Sequence, residues 1–140
     1  MFRTILLFLL LVGLAACSSG TAPDTGEVGQ EVTVPGGSYT DVSVPELQTM
    51  LANKDFTFVN VHIPFEGDIA STDLSIAFDE IGQNLEQLPA DKDAKIVLYC
   101  RSDRMSRIAA ETLVGLGYTN VWNLDGGMVA WEQAGSPLER

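Results

Sequence analysis

A lone cysteine ends an apolar, β-prone run, Ile96-Val97-Leu98-Tyr99, and a short polar loop, Arg101-Ser102-Asp103-Arg104-Met105-Ser106, leads from it into a helical pattern. A strand, a tight loop and a helix start in that order aim the Cys100 thiol and several loop N–H groups into one small space. The helix N-terminus adds partial positive charge there. Arg101, Arg104 and Arg107 are three of the eight basic residues in a chain of formal charge −11, so positive charge gathers at this point. Cysteines at helix N-termini and beside cations ionise far more readily than a free thiol. The chemistry this favours is nucleophilic attack by a thiolate, with the same field holding an anionic substrate or adduct. The plainer alternative is a small, buried, apolar residue at a strand end. The loop, the arginines and the following helix together favour the reactive thiol.

Strand-like and helix-like runs alternate through the elements that must position this thiol. Tyr39 to Val44 reads as a short strand, and Pro45 to Leu51 as a helix whose proline suits the first turn. Phe56 to Val61 is a second strand and Ser75 to Phe78 a short third. Asp79 to Leu88 reads as a helix with Ile81, Leu85 and Leu88 on one face, stopped by Pro89. Lys95 to Tyr99 is a central strand. Ser106 to Leu116 is a helix with Ile108, Ala109, Leu113 and Leu116 inward and Gly117 as its C-terminal cap. Val121 to Leu124 is the last strand, and Gly127 to Ala134 the closing helix. Such alternation predicts a single α/β domain with a mostly parallel sheet flanked by helices. In such folds active groups sit at the carboxyl ends of strands, where Cys100 falls.

The first residues bear on where this chemistry takes place. Met1-Phe2-Arg3 is a short positive segment, Ile5 to Leu14 is apolar, and Leu14-Ala15-Ala16-Cys17 ends it with small residues. The apolar stretch is shorter than the roughly 20 residues of a spanning helix and suits an export signal. The tetrad resembles a bacterial lipobox, which implies cleavage after residue 16 and lipid on Cys17; ordinary secretion is the alternative. Two acyl chains suffice for stable membrane attachment. Ser18 and Ser19 follow without an aspartate, and in a double-membrane bacterium that pattern implies the outer membrane, facing the periplasm. Residues 1–16 are thus read as the signal, 17–38 as a lipidated Cys17 with a flexible Ser/Gly/Thr/Pro tether, within which Glu31 to Val34 reads as a short extended stretch interrupted by Pro35-Gly36-Gly37, and 39–140 as the folded domain. With Cys17 acylated, Cys100 has no disulfide partner, and an unpaired thiol in an exported chain points to chemistry rather than stapling.

Tyr99 to Ser106, followed by Ala109-Ala110, Leu113 and Leu116-Gly117-Tyr118, resembles the active-site strand, loop and helix of a rhodanese domain. Asn123-Leu124-Asp125-Gly126-Gly127-Met128-Val129-Ala130-Trp131 resembles the closing Gly-Gly-x-x-x-Trp segment of that family. Phe58 to His62 takes the place of its early strand, and Gly67-Asp68-Ile69 resembles its Gly-His-Ile turn. The resemblance runs from about Asp41 to Pro137. It implies a rhodanese-like fold and a sulfurtransferase, in which the Cys100 thiolate takes sulfane sulfur from a donor such as thiosulfate. The resulting persulfide passes that sulfur to cyanide, a low-molecular-weight thiol or a protein acceptor, with no cofactor beyond the covalent intermediate. Arg101, Ser102, Asp103, Arg104, Met105 and Ser106 would then form the substrate and anion-binding loop. Arg101 and Arg104 are read either as donor-orienting groups or as solvated surface arginines, and Ser106 as the helix N-cap. The chain departs from the family where Asn60-Val61-His62 replaces Asp-Val-Arg, where Asp103 stands in place of glycine, and where Met105 replaces Arg or Thr. Asp103 would set a negative charge near the nucleophile. His62, the sole histidine, is read as a structural loop residue, with an auxiliary role at the thiol as its alternative.

Rival classes leave weaker marks. A cysteine phosphatase or arsenate reductase needs arginine six positions after the cysteine, and position 106 is serine. No C-x-x-C supports dithiol chemistry, and no His/Cys/Asp/Glu cluster has metal-ligand spacing. Gly126-Gly127 lacks the Gly-Lys-Ser/Thr of a nucleotide loop and reads as a tight turn, with Trp131 in the core and Trp122 at core or rim. A charge of −11 argues against nucleic acid and against electrostatic binding to anionic lipid. A non-catalytic or redox-sensing docking module on the periplasmic face of the membrane remains the alternative to an enzyme.

Overall fold

Four consecutive residues without solvent exposure, Ile96, Val97, Leu98 and Tyr99, form β5 (Ile96–Tyr99), as an apolar run buried on both faces must. In the computed structural model, which describes residues 26–140, β5 lies between β6 (Val121–Leu124) and β3 (Thr57–Asn60), parallel to both. The six-stranded sheet runs β1-β2-β6-β5-β3-β4, with β1 (Gln30–Val34), β2 (Gly37–Val42) and β4 (Leu74–Ser75) completing it. Among the strand pairs of the described residues, β1–β2 is antiparallel and the others are parallel. The helices are α1 (Val44–Ala52), α2 (Arg104–Gly115) and α3 (Gly127–Gln133). This is the expected α/β domain with a mostly parallel sheet.

Period-two alternation along β5 decides where the thiol points. Ile96, Leu98 and Cys100 share one face with Ala109, Ala110, Leu113 and Val114 of α2. Val97 and Tyr99 face the opposite core, with Phe58, Leu47, Met128 and Trp131. Cys100 therefore leaves the sheet on the side that carries α2, next to that helix's first turn.

Three expectations are corrected by the structure. The tether was expected to reach residue 38, yet the sheet already begins at Gln30, and β1 pairs with β2 from Gln30↔Asp41 to Val34↔Gly37. Pro35 and Gly36 make the two-residue connection, with Gly36 at φ +92, and Val32 and Val34 pack on the core at alternate positions. The Gly29 N–H also donates to Glu46 at 2.9 Å, fastening the approach to this hairpin onto α1. Residues 79–88 form two 3₁₀ turns, Ile81–Gln83 and Leu85–Gln87, rather than one α-helix. Asn84 separates them, and its side-chain amide donates to the Glu80 carbonyl at 2.8 Å, taking an acceptor that a continuous helix would use for backbone. The inward face of α2 is Ser106, Ala109, Ala110, Leu113 and Val114, while Ile108 and Leu116 are 36 % and 42 % exposed. That stripe keeps i, i+3, i+4, i+7, i+8 spacing but is turned from the expected one, because small residues let the helix lie close to β5.

The end of α2 follows its sequence signal. Gly117 at φ +91 donates to Val114 O at 3.0 Å, and Tyr118 N–H to Leu113 O at 3.1 Å, a Schellman closure. Trp131 is 6 % exposed and donates its indole N–H to Pro137 O at 3.1 Å. Cys17 and the signal-like segment lie outside the described residues. Among the described residues no helix is long and apolar enough to cross a membrane.

Candidate active site

The thiol of Cys100 sits at the carboxyl end of β5, 2 % exposed, on the floor of a cavity of about 170 Å³ lined by His62, Arg101, Ser102, Arg104 and Met105. The Asp103 N–H donates to its sulfur at 3.1 Å. The buried Ser106 hydroxyl lies 3.3 Å from the same sulfur and 3.0 Å from Asp103 O, so its single proton serves one or the other. Ser106 was expected as the N-cap of α2. Asp103 takes that place, because α2 begins at Arg104 and the Asp103 carbonyl accepts from the Arg107 N–H at 2.9 Å. Ser106 stands one turn inside, facing the sulfur.

Asp103 also serves the site through its backbone and its link to a neighbouring turn. Its backbone lies at φ +110, a region that favours glycine, and this is the physical content of the glycine that commonly stands at this point. Its carboxylate accepts the Gly126 N–H at 2.8 Å. Asp103 thus links the loop to the turn before α3, with its N–H on the sulfur. Asp103→Ala is expected to cost about 1–2 kcal/mol of unfolding free energy, the scale of a lost charge-assisted bond. Asp103→Asn retains an acceptor for Gly126 and should lose less than half of that. Chemical denaturation of both variants checks this, and equal losses would remove the link as a contributor.

The carbonyls of the loop are held from the other side. Cys100 O accepts from Met128 N–H at 2.9 Å and Arg101 O from Val129 N–H at 3.0 Å. The first turn of α3 therefore spends its unpaired N–H groups on the carbonyls beside the nucleophile. Gly126-Gly127 was read as a turn that brings α3 to the sheet, and the contact it makes is with the Cys100-Arg101 backbone.

Positive charge around the thiol is less free than the sequence suggests. Arg107 is bound to Asp125 at 2.9 Å and to Asp41 at 3.4 Å. Burial raises the Asp41 carboxyl above the ordinary range, opposed by the Asn123 amide and by Arg107. Arg101 reaches Glu66 at 3.1 Å, and Glu66 also bonds His62 Nε2. The hydrogen bond from His62, with the Arg101 charge assisting, holds the Glu66 carboxyl below the usual carboxylate range. Among the described residues, exposed Arg104 forms no ion pair. His62 Nδ1 is buried without a hydrogen-bond partner, and its Nε2 is engaged by Glu66. Asn60, 1 % exposed, fixes this wall: its amide donates to Gly67 O at 3.0 Å and Asp68 Oδ1 at 2.9 Å, and its oxygen accepts the His62 N–H at 2.9 Å.

Sequence reasoning did not find Glu66. No periodic or motif signal marks it, since it acts from a loop distant in sequence from Cys100.

The profile of the rhodanese-like domain matches residues 46–134. The chain belongs to the rhodanese-like family. This rhodanese-like chain is 33 % identical over 94 residues to a sulfurtransferase of Allochromatium vinosum, covering 65 % of the chain and 85 % of that relative. It is 28 % identical over 103 residues to the thiosulfate sulfurtransferase GlpE of Vibrio cholerae, covering 72 % of the chain and 95 % of the relative. Among solved structures it is similar to the human single-domain sulfurtransferase TSTD1, at 25 % identity and TM-score 0.60, over 66 % of this chain and 95 % of that one.

Proposed function

We propose that this rhodanese-like domain is a sulfurtransferase that carries sulfane sulfur on Cys100. The observation that carries the reading is the placement of the Cys100 sulfur at the strand end, against the first turn of α2, with the Asp103 N–H at 3.1 Å. A donor anion enters the cavity, and the Cys100 thiolate attacks its outer sulfur. The Cys100 S–S bond forms, the donor's own S–S bond breaks, and the electron pair leaves with sulfite when thiosulfate is the donor. The negative charge is conserved on the outer sulfur of the persulfide. The Asp103 N–H and the Ser106 hydroxyl are placed to stabilise charge at Cys100. An incoming thiolate or cyanide then attacks the outer sulfur, and Cys100 departs as thiolate. No cofactor enters either step.

The same proposal places the chain in the cell envelope, anchored by lipid on Cys17 and facing the periplasm from the outer membrane. Its partners there are a small sulfur-containing anion or thiol and a protein sulfur acceptor. The test is intact-mass spectrometry of the reduced protein incubated with thiosulfate. A gain of one sulfur atom that cyanide removes supports the proposal. No gain, from a thiol that also resists alkylation, would instead favour the docking module, a reading to which the 2 % exposure of Cys100 lends weight.

A further inference from the structure

The loop that follows β3 places a carboxylate where an anionic donor would be met. Arg101 is the residue next to the nucleophile and lines its cavity, yet its guanidinium is turned to Glu66 at 3.1 Å. Glu66 is held from a second side by His62 Nε2, and His62 lines the same cavity. With the side chains of Arg101 and Glu66 49 % and 40 % exposed, the pair contributes little stability. Its charge acts regardless of that: one negative group sits on the face of Arg101 that an oxyanion would otherwise occupy. Of the remaining lining, Met105 is apolar and Arg104 is the one further cation; Arg107, outside the lining, is occupied by Asp41 and Asp125, and the chain as a whole is at −11. The same loop exposes Ile63 (38 %) and Phe65 (61 %) on either side of Pro64, between His62 and Glu66.

We infer that Glu66 is a specificity-determining residue, which fills the anion-binding face of Arg101 and biases the Cys100 site against doubly charged donors in favour of singly charged or neutral organic sulfane donors. The inference rests on the sulfurtransferase reading and names its donor class. Thiosulfate and methanethiosulfonate test it, because both surrender an outer sulfur to a thiolate and release a sulfur oxyanion. They differ by one charge and one methyl group. In each, the Cys100 sulfur forms the new S–S bond while the sulfite or methanesulfinate leaves with the electron pair of the old one.

The readout is the ratio of persulfide-forming kcat/KM for thiosulfate over methanethiosulfonate, in the full chain and three variants. Glu66→Gln keeps an acceptor for His62 while removing the charge. Its ratio is expected to rise by about three- to tenfold, the size of one charge step between exposed groups several ångströms apart. Arg101→Ala is expected to lower the ratio by a similar factor, because Glu66 is then uncompensated. The double variant restores neutrality and should return close to the native ratio. Added salt should shrink all of these differences. A structural role for Glu66 would change both donors together and leave the ratio flat, and a flat ratio in a protein that transfers sulfur overturns this inference alone. Absence of transfer from both donors in the native chain overturns the sulfurtransferase reading and this inference with it.

Discussion

Cys100→Ser forms no persulfide and transfers no sulfur, while the domain still folds. The substitution exchanges one atom at a site 2 % exposed to solvent, so the packing against Leu98 and α2 is nearly preserved. The serine oxygen can accept the Asp103 N–H that the sulfur now takes, which keeps that buried donor paired. Stability is therefore expected to stay within about 1 kcal/mol of the native protein, read by chemical denaturation. Chemistry fails for a separate reason: an oxygen at this position neither ionises near neutral pH nor holds sulfane sulfur. The expected loss is complete within detection, with mass spectrometry showing no adduct after thiosulfate. A Cys100→Ser protein that still releases thiocyanate from cyanide at the native rate would remove Cys100 as the carrier.

The strand, loop and helix around Cys100 were legible because their signals are local. A four-residue apolar run, a polar break and a helical stripe specify their own geometry, and Gly117 marks the helix end by a backbone need that few other residues meet. The β1 strand was legible only as a short extended stretch from Glu31 to Val34, since its polar residues outnumber Val32 and Val34 and its pairing partner lies across the Pro-Gly turn that interrupts it. The two 3₁₀ turns escaped notice because Ile81, Leu85 and Leu88 do sit at helical spacing, and the competing bond from Asn84 is not a periodic signal. At the site, the cysteine and its loop could be named, but the groups that set the loop's charge could not. Glu66, Asp41 and Asp125 each reach an arginine of the Arg101–Arg107 segment from another part of the chain. Counting arginines near a cysteine therefore overstated the positive charge available to a substrate. Residue type alone also did not reveal that the Asp103 backbone N–H meets the sulfur while its carboxylate bonds the Gly126 N–H.

Gly127→Ala is expected to damage both the fold and the site, and the reason is steric rather than chemical. Gly127 has φ +54, where an alanine costs about 1–2 kcal/mol on backbone grounds alone. A Cβ at this position would stand 2.8 Å from both the carbonyl carbon and the oxygen of Arg101, and closer still to Cys100 O. Those atoms are backbone of the nucleophile's loop, so no side-chain rotation relieves the overlap. Either α3 withdraws and releases the bonds from Met128 and Val129 to Cys100 O and Arg101 O, or the loop moves and carries the sulfur with it. Both outcomes add to the backbone cost, for an expected total of about 3 kcal/mol or more, which chemical denaturation reads directly. In the fraction that folds, displacing the nucleophile by about 1 Å is enough to slow transfer by roughly a hundredfold, measured as single-turnover persulfide formation. Gly115→Ala is the matched control, since a Cβ there meets nothing within 4 Å and the residue closes α2. It should leave stability and rate close to native. Similar behaviour of the two alanine variants would mean that the α3 turn does not hold the Cys100 loop in place.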